Sequence, residues 1–387
     1  VIFSRSFKPV VPTKDAEGRI ASLVLPLDGL DPDSGRKLLT SFDSLEDEQW
    51  LHIHGLSRGH PLVLELINRG ASAGAFHETL ENYVTVEIFS KLSAEQKRVL
   101  SALSVFREPI ELEALAQQGL NTDELDALVE SGLARQADAD TYDVHDLIRE
   151  FLLRSLSTAL REEFHGKCAE WYQKQTSSYE VQIELIYHAI KSSQFEAASE
   201  IVVNDGRQLV SQGYMELLGL IEQIETDDLT SSVVIRMAQL QGDILALLGR
   251  LNEAETVLND TLERAQSTAG ELVQAEILSS LADVSRKQGN SELSLNRHKA
   301  ALKHYISLGN ARWAARTYNN IGYLLRRKNE RNKALEAYGE VEAILESSDD
   351  DELIYSQITL ARSLIELGEV DRAREHAMAS HERTSAL

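Results

Sequence analysis

The sequence predicts a mainly α-helical protein: helical pieces, then a three-helix module with a β-hairpin, then a solenoid of paired helices. Three observations carry this expectation. Small residues recur with a period near 40 residues across positions 233–387. Apolar residues between 160 and 232 keep the 3.6-residue spacing of a buried helix face. Positions 85–160 alternate helix-capping signals with short apolar runs, then change to the two-residue alternation of strands.

The repeat is the strongest of the three. Gly242, Ala282, Gly322 and Ala361 stand 40, 40 and 39 residues apart. Seven residues after each come Gly249, Gly289, Asn329 and Gly368, and five further on come Ala254, Ser294, Ala334 and Ala373. A fixed period of this size is the mark of a solenoid. A small residue in the first helix lets the second approach closely. Gly or Asn ends the first helix because those residues tolerate a left-handed backbone. The small residue early in the second helix is the other half of the close contact. Each hairpin leaves one apolar face open, so neighbours must stack to bury it. The pattern resembles tetratricopeptide (TPR) repeats of the longer variety, four units over 233–379, and that resemblance implies a concave groove that binds another molecule.

Upstream, Phe164, Cys168, Trp171 and Tyr172 lie at helical spacing, and Tyr187–Ile190 followed by Phe195–Ala198 resembles a degenerate hairpin of the same kind. Residues 161–232 are therefore expected to be a helical connector. Before it, Ser93 caps a helix reaching about Phe106, Pro109 starts a short helix with Leu112 and Leu115, and Asn121–Glu124 cap a third that Gly132 ends. Leu133–Arg135 and Tyr142–Val144 then read as two short strands, and His145-Asp146 opens another helix. Three helices followed by a hairpin is the winged-helix order, giving a winged-helix domain over 85–160. In residues 1–84, Val1–Phe3 reads as a buried strand, and helices are expected over 31–42, 45–57, 60–69 and 73–83.

No Gly-x4-Gly-Lys-Ser/Thr phosphate loop occurs in the chain, so it is not expected to be an enzyme as it stands. What is present resembles the back half of a STAND-class signal-transduction ATPase, a relative of the AAA+ and NB-ARC ATPases and of maltose-type regulators. Four pieces match in order. Val1-Ile2-Phe3-Ser4-Arg5 resembles the sensor strand whose terminal Arg faces the γ-phosphate. Leu30 to Leu39 resembles the start of the lid helices, and Gly59-His60-Pro61-Leu62 the Gly-x-Pro motif beside the adenine. Val144-His145-Asp146 resembles the Met-His-Asp motif, with Val in place of Met. Residues 1–84 then become the C-terminal remnant of an ATPase domain with lid helices. The resemblance implies nucleotide roles for Arg5, Pro61 and His145, with ATP or ADP held only by the full-length parent and no cofactor by this fragment alone. It also implies the missing ATPase core as a partner and a possible nucleotide-driven oligomer. The plainer alternative makes Arg5, Pro61 and His145 ordinary structural residues of a TPR scaffold with no nucleotide role.

Composition narrows the rest. The net charge is −23, but residues 1–232 hold 20 basic against 39 acidic side chains, and residues 233–387 hold 19 against 23. The third winged-helix helix carries Asp123, Glu124, Asp126 and Glu130 and no base, so phosphate repels it and direct DNA binding is disfavoured. A DNA-binding transcription regulator is the last reading. One cysteine, Cys168, builds no disulfide or zinc site and suits a reducing, cytoplasmic setting. No apolar run is long enough to span a membrane, and no leader precedes Val1, so the chain reads as a fragment or processed product. His52, His54 and His60 find no matching ligands, so no metal is expected.

Residues 311–335 contain Arg312, Arg316, Arg326, Arg327, Lys328, Arg331 and Lys333 against Glu330 alone. Arg316, Asn319, Tyr323 and Arg326 fall on the helix face that lines the groove in such repeats, with Ser279, Asp283 and Arg286 beside them from the preceding hairpin. Arg and Asn with a Tyr can hold a carboxylate or phosphate, so the expected partner is a protein or an anionic small-molecule ligand. The alternative is a solvated face of i,i+4 charges.

Overall fold

The computed structural model describes residues 30–40, 46–57, 61, 64, 68, 89–138, 140–144, 146–175, 178–347 and 353–386. The chain divides into two compact units, Val1–Arg161 and Glu162–Leu387. The described structure is mainly helical.

In the first unit the Asp31 carboxylate caps α1 (Pro32–Arg36) by accepting from the Asp33 and Ser34 N–H groups. This helix is shorter than the 31–42 expected. A second helix, α2 (Asp47–Ser57), packs beside it. Pro61, Leu64 and Asn68 are helical. The expected strand at 1–3 and the helix at 73–83 lie outside the described residues.

Ser93 and Gln96 form a reciprocal capping box at α3 (Ala94–Val105), each side chain reaching the other's backbone N–H at 3.0 Å. The next helix does not begin at Pro109. Ile110–Glu111 instead form a short strand, β1, and α4 (Leu112–Gln117) follows. Helix α5 (Asp123–Glu130) ends at Gly132, whose φ is +77°. Strands β2 (Ala134–Gln136) and β3 (Thr141–Val144) pair antiparallel, with Arg135 opposite Asp143, and β1 adds to the other edge of β3. Helix α6 is Asp146–Ser155. Val99, Leu103, Leu115, Leu125, Leu128, Ile148 and Leu152 form the buried side of these elements. Asp143 is buried too, and its carboxylate takes both Arg135 and Arg149. Arg149 also donates to the Ser104 carbonyl at 3.1 Å. A buried carboxylate is tolerable only when paired this fully.

Helix α7 (Thr158–Gln173) crosses the division between units and buries Phe164, Cys168, Trp171 and Tyr172, the residues its sequence spacing marked. Next come α8 (Tyr179–Lys191), α9 (Phe195–Ser211) and the short α10 (Leu217–Ile221). The α8–α9 turn places Ser193 at φ +59°, and the Gln194 N–H donates to the Ala189 carbonyl at 2.8 Å.

Four hairpins complete the chain: α11 (Ser231–Leu247) with α12 (Leu251–Thr268), α13 (Glu271–Lys287) with α14 (Ser291–Ser307), α15 (Ala311–Arg327) with α16 (Arg331–Ser347), and α17 (Ile354–Glu366) with α18 (Val370–Ala386). Their turns are alike. Gly249, Gly289, Asn329 and Gly368 all have positive φ, between +61° and +85°. After each, a backbone N–H bonds five residues back, as in Arg250 to Leu245 at 2.9 Å and Glu330 to Leu325 at 3.0 Å. This is the Schellman closure that the Gly/Asn spacing predicted.

The close helix approach is present, with one change of partner. A Cβ on Gly242 would lie 2.5 Å from Leu258, and one on Gly322 would lie 2.3 Å from the Tyr338 ring. Ala254, Ser294, Ala334 and Ala373 are buried, but the atoms facing the two glycines belong to the residue one turn later. Successive hairpins are joined by apolar packing and by ion pairs: Arg236 with Glu276 at 3.2 Å, Arg297 with Glu255 at 2.8 Å, Arg372 with Glu342 at 2.6 Å.

Candidate functional site

The first helices of the four hairpins, α11, α13, α15 and α17, run side by side and line two adjoining clefts. The larger, about 410 Å³, takes Gln239 and Asp243 from α11, and Glu276, Ser279, Asp283 and Arg286 from α13. Lys287 of α13, Trp313, Arg316 and Asn320 of α15 and Arg207 of α9 also line it. The smaller, about 200 Å³, shares Asp283, Arg286, Arg316 and Asn320 and adds Asn319 with Tyr355, Ser356 and Thr359 of α17.

Charges in the larger cleft differ in how far they are satisfied. Glu276 is buried and paired with Arg236 at 3.2 Å and Arg207 at 3.8 Å. Asp283 and Arg286 contact each other at 3.4 Å. Burial pushes the Asp243 carboxyl up from its ordinary value, against a hydrogen bond with Ser280 and the nearby Arg207. Lys287 Nζ donates to the Ala246 carbonyl at 2.8 Å. Arg316 is the exception. Its guanidinium lies 5.0 Å from the Trp313 ring centre and 5.9 Å from that of Tyr355, and among the described residues no carboxylate is within ion-pair reach of it. Two aromatic rings hold the group in place while its N–H donors remain free to meet an anion. Trp313 is itself fixed by stacking on Tyr305, whose hydroxyl contacts Ser279 Oγ at 3.2 Å.

Of the groove residues expected from sequence, Ser279, Asp283, Arg286 and Arg316 do come together. Asn319 lines the smaller cleft, but its side chain is buried and its amide donates to the Ser356 carbonyl at 3.0 Å. Tyr323 and Arg326 line neither cleft. Arg326 is committed to Glu366, and the Tyr323 hydroxyl accepts from Arg327 at 3.2 Å. The basic segment 311–335 is also less bare than it reads. Lys328 pairs with Glu292 and Arg331 with Glu369, both from neighbouring hairpins. Of the residues to which the STAND-class resemblance gave nucleotide roles, Pro61 is helical and exposed, and Arg5 and His145 lie outside the described residues. Sequence reading missed Asp243, Glu276, Trp313 and Tyr355. The repeat offset could have found three of them. Asp243 is one period before Asp283, and Glu276 and Tyr355 occupy the position of Arg316 in the hairpins on either side.

Among the described residues no group of three or more His, Cys, Asp or Glu side chains could hold a metal ion, and no described helix is long and apolar enough to cross a membrane.

Residues 273–347, covering α13 to α16, match the family model for the tetratricopeptide repeat. No curated protein matches the sequence. Similar solved structures include a Signal Transduction ATPase with Numerous Domains (STAND) protein with a tetratricopeptide repeat sensor from Pyrococcus horikoshii. It is 20% identical with a TM-score of 0.41, over 92% of this chain and 60% of that one. This chain thus spans less than two thirds of that protein's length. BtubC from P. vanneervenii is 16% identical with a TM-score of 0.38, over 60% of this chain and 92% of its own. Aspartyl phosphate phosphatase F from Bacillus subtilis is 11% identical with a TM-score of 0.38, over 94% and 96%. The hairpin geometry and the family match define the C-terminal part of the chain as a TPR-like helical solenoid.

Proposed function

We propose that this chain is the regulatory and sensor part of a signal-transduction ATPase. In this reading the repeat groove binds a protein or small-molecule ligand through an anionic group. The three-helix-and-hairpin module, as a winged helix, relays that binding to a nucleotide switch in the parent protein. The observation that carries the binding role is Arg316, held beside Trp313 and Tyr355 in a cleft that spans the hairpins, with no carboxylate partner among the described residues. The lever role for the winged helix is supported by the charge of α5. Its Asp123, Asp126 and Glu130 are exposed and would be repelled by a phosphate backbone.

The nucleotide arm rests on the sequence motifs at Arg5, Pro61 and His145, and ATP or ADP belongs to the parent in this reading. Ligand binding can shift such a switch only if it favours one state energetically, typically by about 1–3 kcal/mol. A Gly-x4-Gly-Lys-Ser/Thr loop ahead of Val1 in the full reading frame is the matching observation, and a frame without one overturns that arm.

The groove is tested by affinity capture from native extract with the whole chain as bait. R286E/R316E should weaken the captured partner about tenfold or more, the loss typical of a central charged contact. K303E, outside both clefts, serves as the control. Equal capture by both variants removes the groove as the binding site.

A further inference from the structure

In the larger cleft most lining charges have partners within the stack. Glu276 is paired with Arg207 and Arg236, Asp283 with Arg286, and Lys287 Nζ donates to the Ala246 carbonyl. Two lining groups of opposite sign have no ion pair among the described residues, Arg316 on α15 and Asp243 on α11. Asp243 has a hydrogen bond with Ser280, and burial pushes its carboxyl up from the ordinary value. Gln239, one turn earlier on the same face of α11, also lines the cleft and is 2% exposed. Its amide nitrogen has no hydrogen-bond partner among the described residues. A buried donor left unpaired is costly, so an acceptor brought by an occupant is favoured there. An occupant bearing an anion alone would meet Arg316 but leave Asp243 facing it. One that also carries a cation complements both.

The repeat offsets set the spacing of the two charges. Arg316 stands two periods after Arg236, so its level on α11 lies seven residues, two turns, before Asp243. That is about 10 Å along the helix. Across the stack, α11 and α15 are two helix steps apart, each about 8–10 Å. A free amino acid, with both charges beside one carbon, cannot bridge such a gap. An extended peptide can. It gains about 3.3 Å per residue, so residues four apart lie on one face about 13 Å from each other, and their side chains reach further. We infer that the larger cleft takes an extended peptide segment of mixed charge: a Lys or Arg side chain against Asp243, a carboxylate about four residues away against Arg316, and a main-chain carbonyl accepting from the Gln239 amide. This rests on the groove reading above and adds to it a required cation.

The probes are labelled nine-residue peptides of Ala and Ser holding one Lys and one Asp, two to five positions apart and in either order. Each is titrated into the whole chain by fluorescence anisotropy. Saturable binding is expected, tightest for the pair four apart, whose side chains point the same way. Replacing that peptide's Lys by Gln, or its Asp by Asn, should each weaken binding about tenfold. In the chain, D243N should remove the dependence on the peptide's Lys and keep that on its Asp, and R316Q should do the reverse. Q239L should weaken every peptide, since its contact is to the main chain. The peptide-side changes read both charged contacts without touching the fold. No saturable binding by any peptide overturns the inference, and so does equal binding of the Lys and Gln forms. Binding that needs the peptide's Asp and Arg316, but neither its Lys nor Asp243, overturns it while leaving the anion groove standing. Binding indifferent to R316Q as well removes the groove reading with it.

Discussion

His298 sits where one residue decides how a hairpin responds to acid. It occupies the position of Leu258 and Tyr338 in the neighbouring hairpins, which there face Gly242 and Gly322 of the first helix. It is 1% exposed, and neither ring nitrogen has a hydrogen-bond partner among the described residues. Burial lowers its pKa to about 4; Asp283 works against this, and Arg286 and Arg316 add to it. The sign follows from linkage. The unfolded imidazole titrates near 6.5, so below that pH the unfolded state binds a proton the folded state refuses, and stability falls until pH nears 4. Between pH 7 and pH 5 the chain should therefore lose about 2 kcal/mol more stability than H298L, which restores the leucine of the preceding hairpin. Urea titrations at the two pH values read this directly, and parallel pH profiles would refute it.

Two glycines of one hairpin separate packing from propensity at the scale of the element. Gly322 lies against the buried Tyr338 ring, with 2.3 Å to where a Cβ would be, while Gly339, mid-helix in α16, has nothing within 4 Å of that point. G322A should cost about 1–3 kcal/mol, because the ring cannot retreat in a filled core. G339A should add about 0.5–1 kcal/mol, because alanine loses less backbone entropy in a helix. Denaturant midpoints with unchanged m-values check both, and a neutral G322A would show that the helices can separate at no cost. The elements themselves were largely legible from sequence, for a local reason. Ser93 and Gln96 close a capping box through bonds three residues apart, and Gly249, Gly289, Asn329 and Gly368 set the turns by their own backbone tolerance. Strand β1 was not legible. Ile110–Glu111 is a strand only because β3, about 30 residues later, pairs with it, and two residues carry no period.

At the scale of the molecule, the repeat part is a one-dimensional stack in which each hairpin touches its neighbours. Hairpins α11–α12, α13–α14 and α15–α16 are covered on both sides, whereas α17–α18 has a covered side and an open one. Native-state hydrogen exchange should find amides of α18 opening most readily and those of α13 and α14 most protected, a difference of about 2 kcal/mol or more in opening free energy. Uniform protection along the stack would mean that the hairpins unfold as one unit.

The helical class, the hairpin period and the turn positions can be read from residue order, because each depends on contacts within a few residues or on a spacing repeated along the chain. Which charges line the groove depends on how the hairpins pack. Arg316 and Arg326 share one helix face and look alike on paper, yet Glu366, forty residues later, takes Arg326, while Trp313 and Tyr355 hold Arg316 in the cleft without neutralising it. Whether a surface cation is spent on a neighbour or left for a ligand depends on what the adjacent hairpin places opposite it, and that is fixed by packing distance rather than by order along the chain.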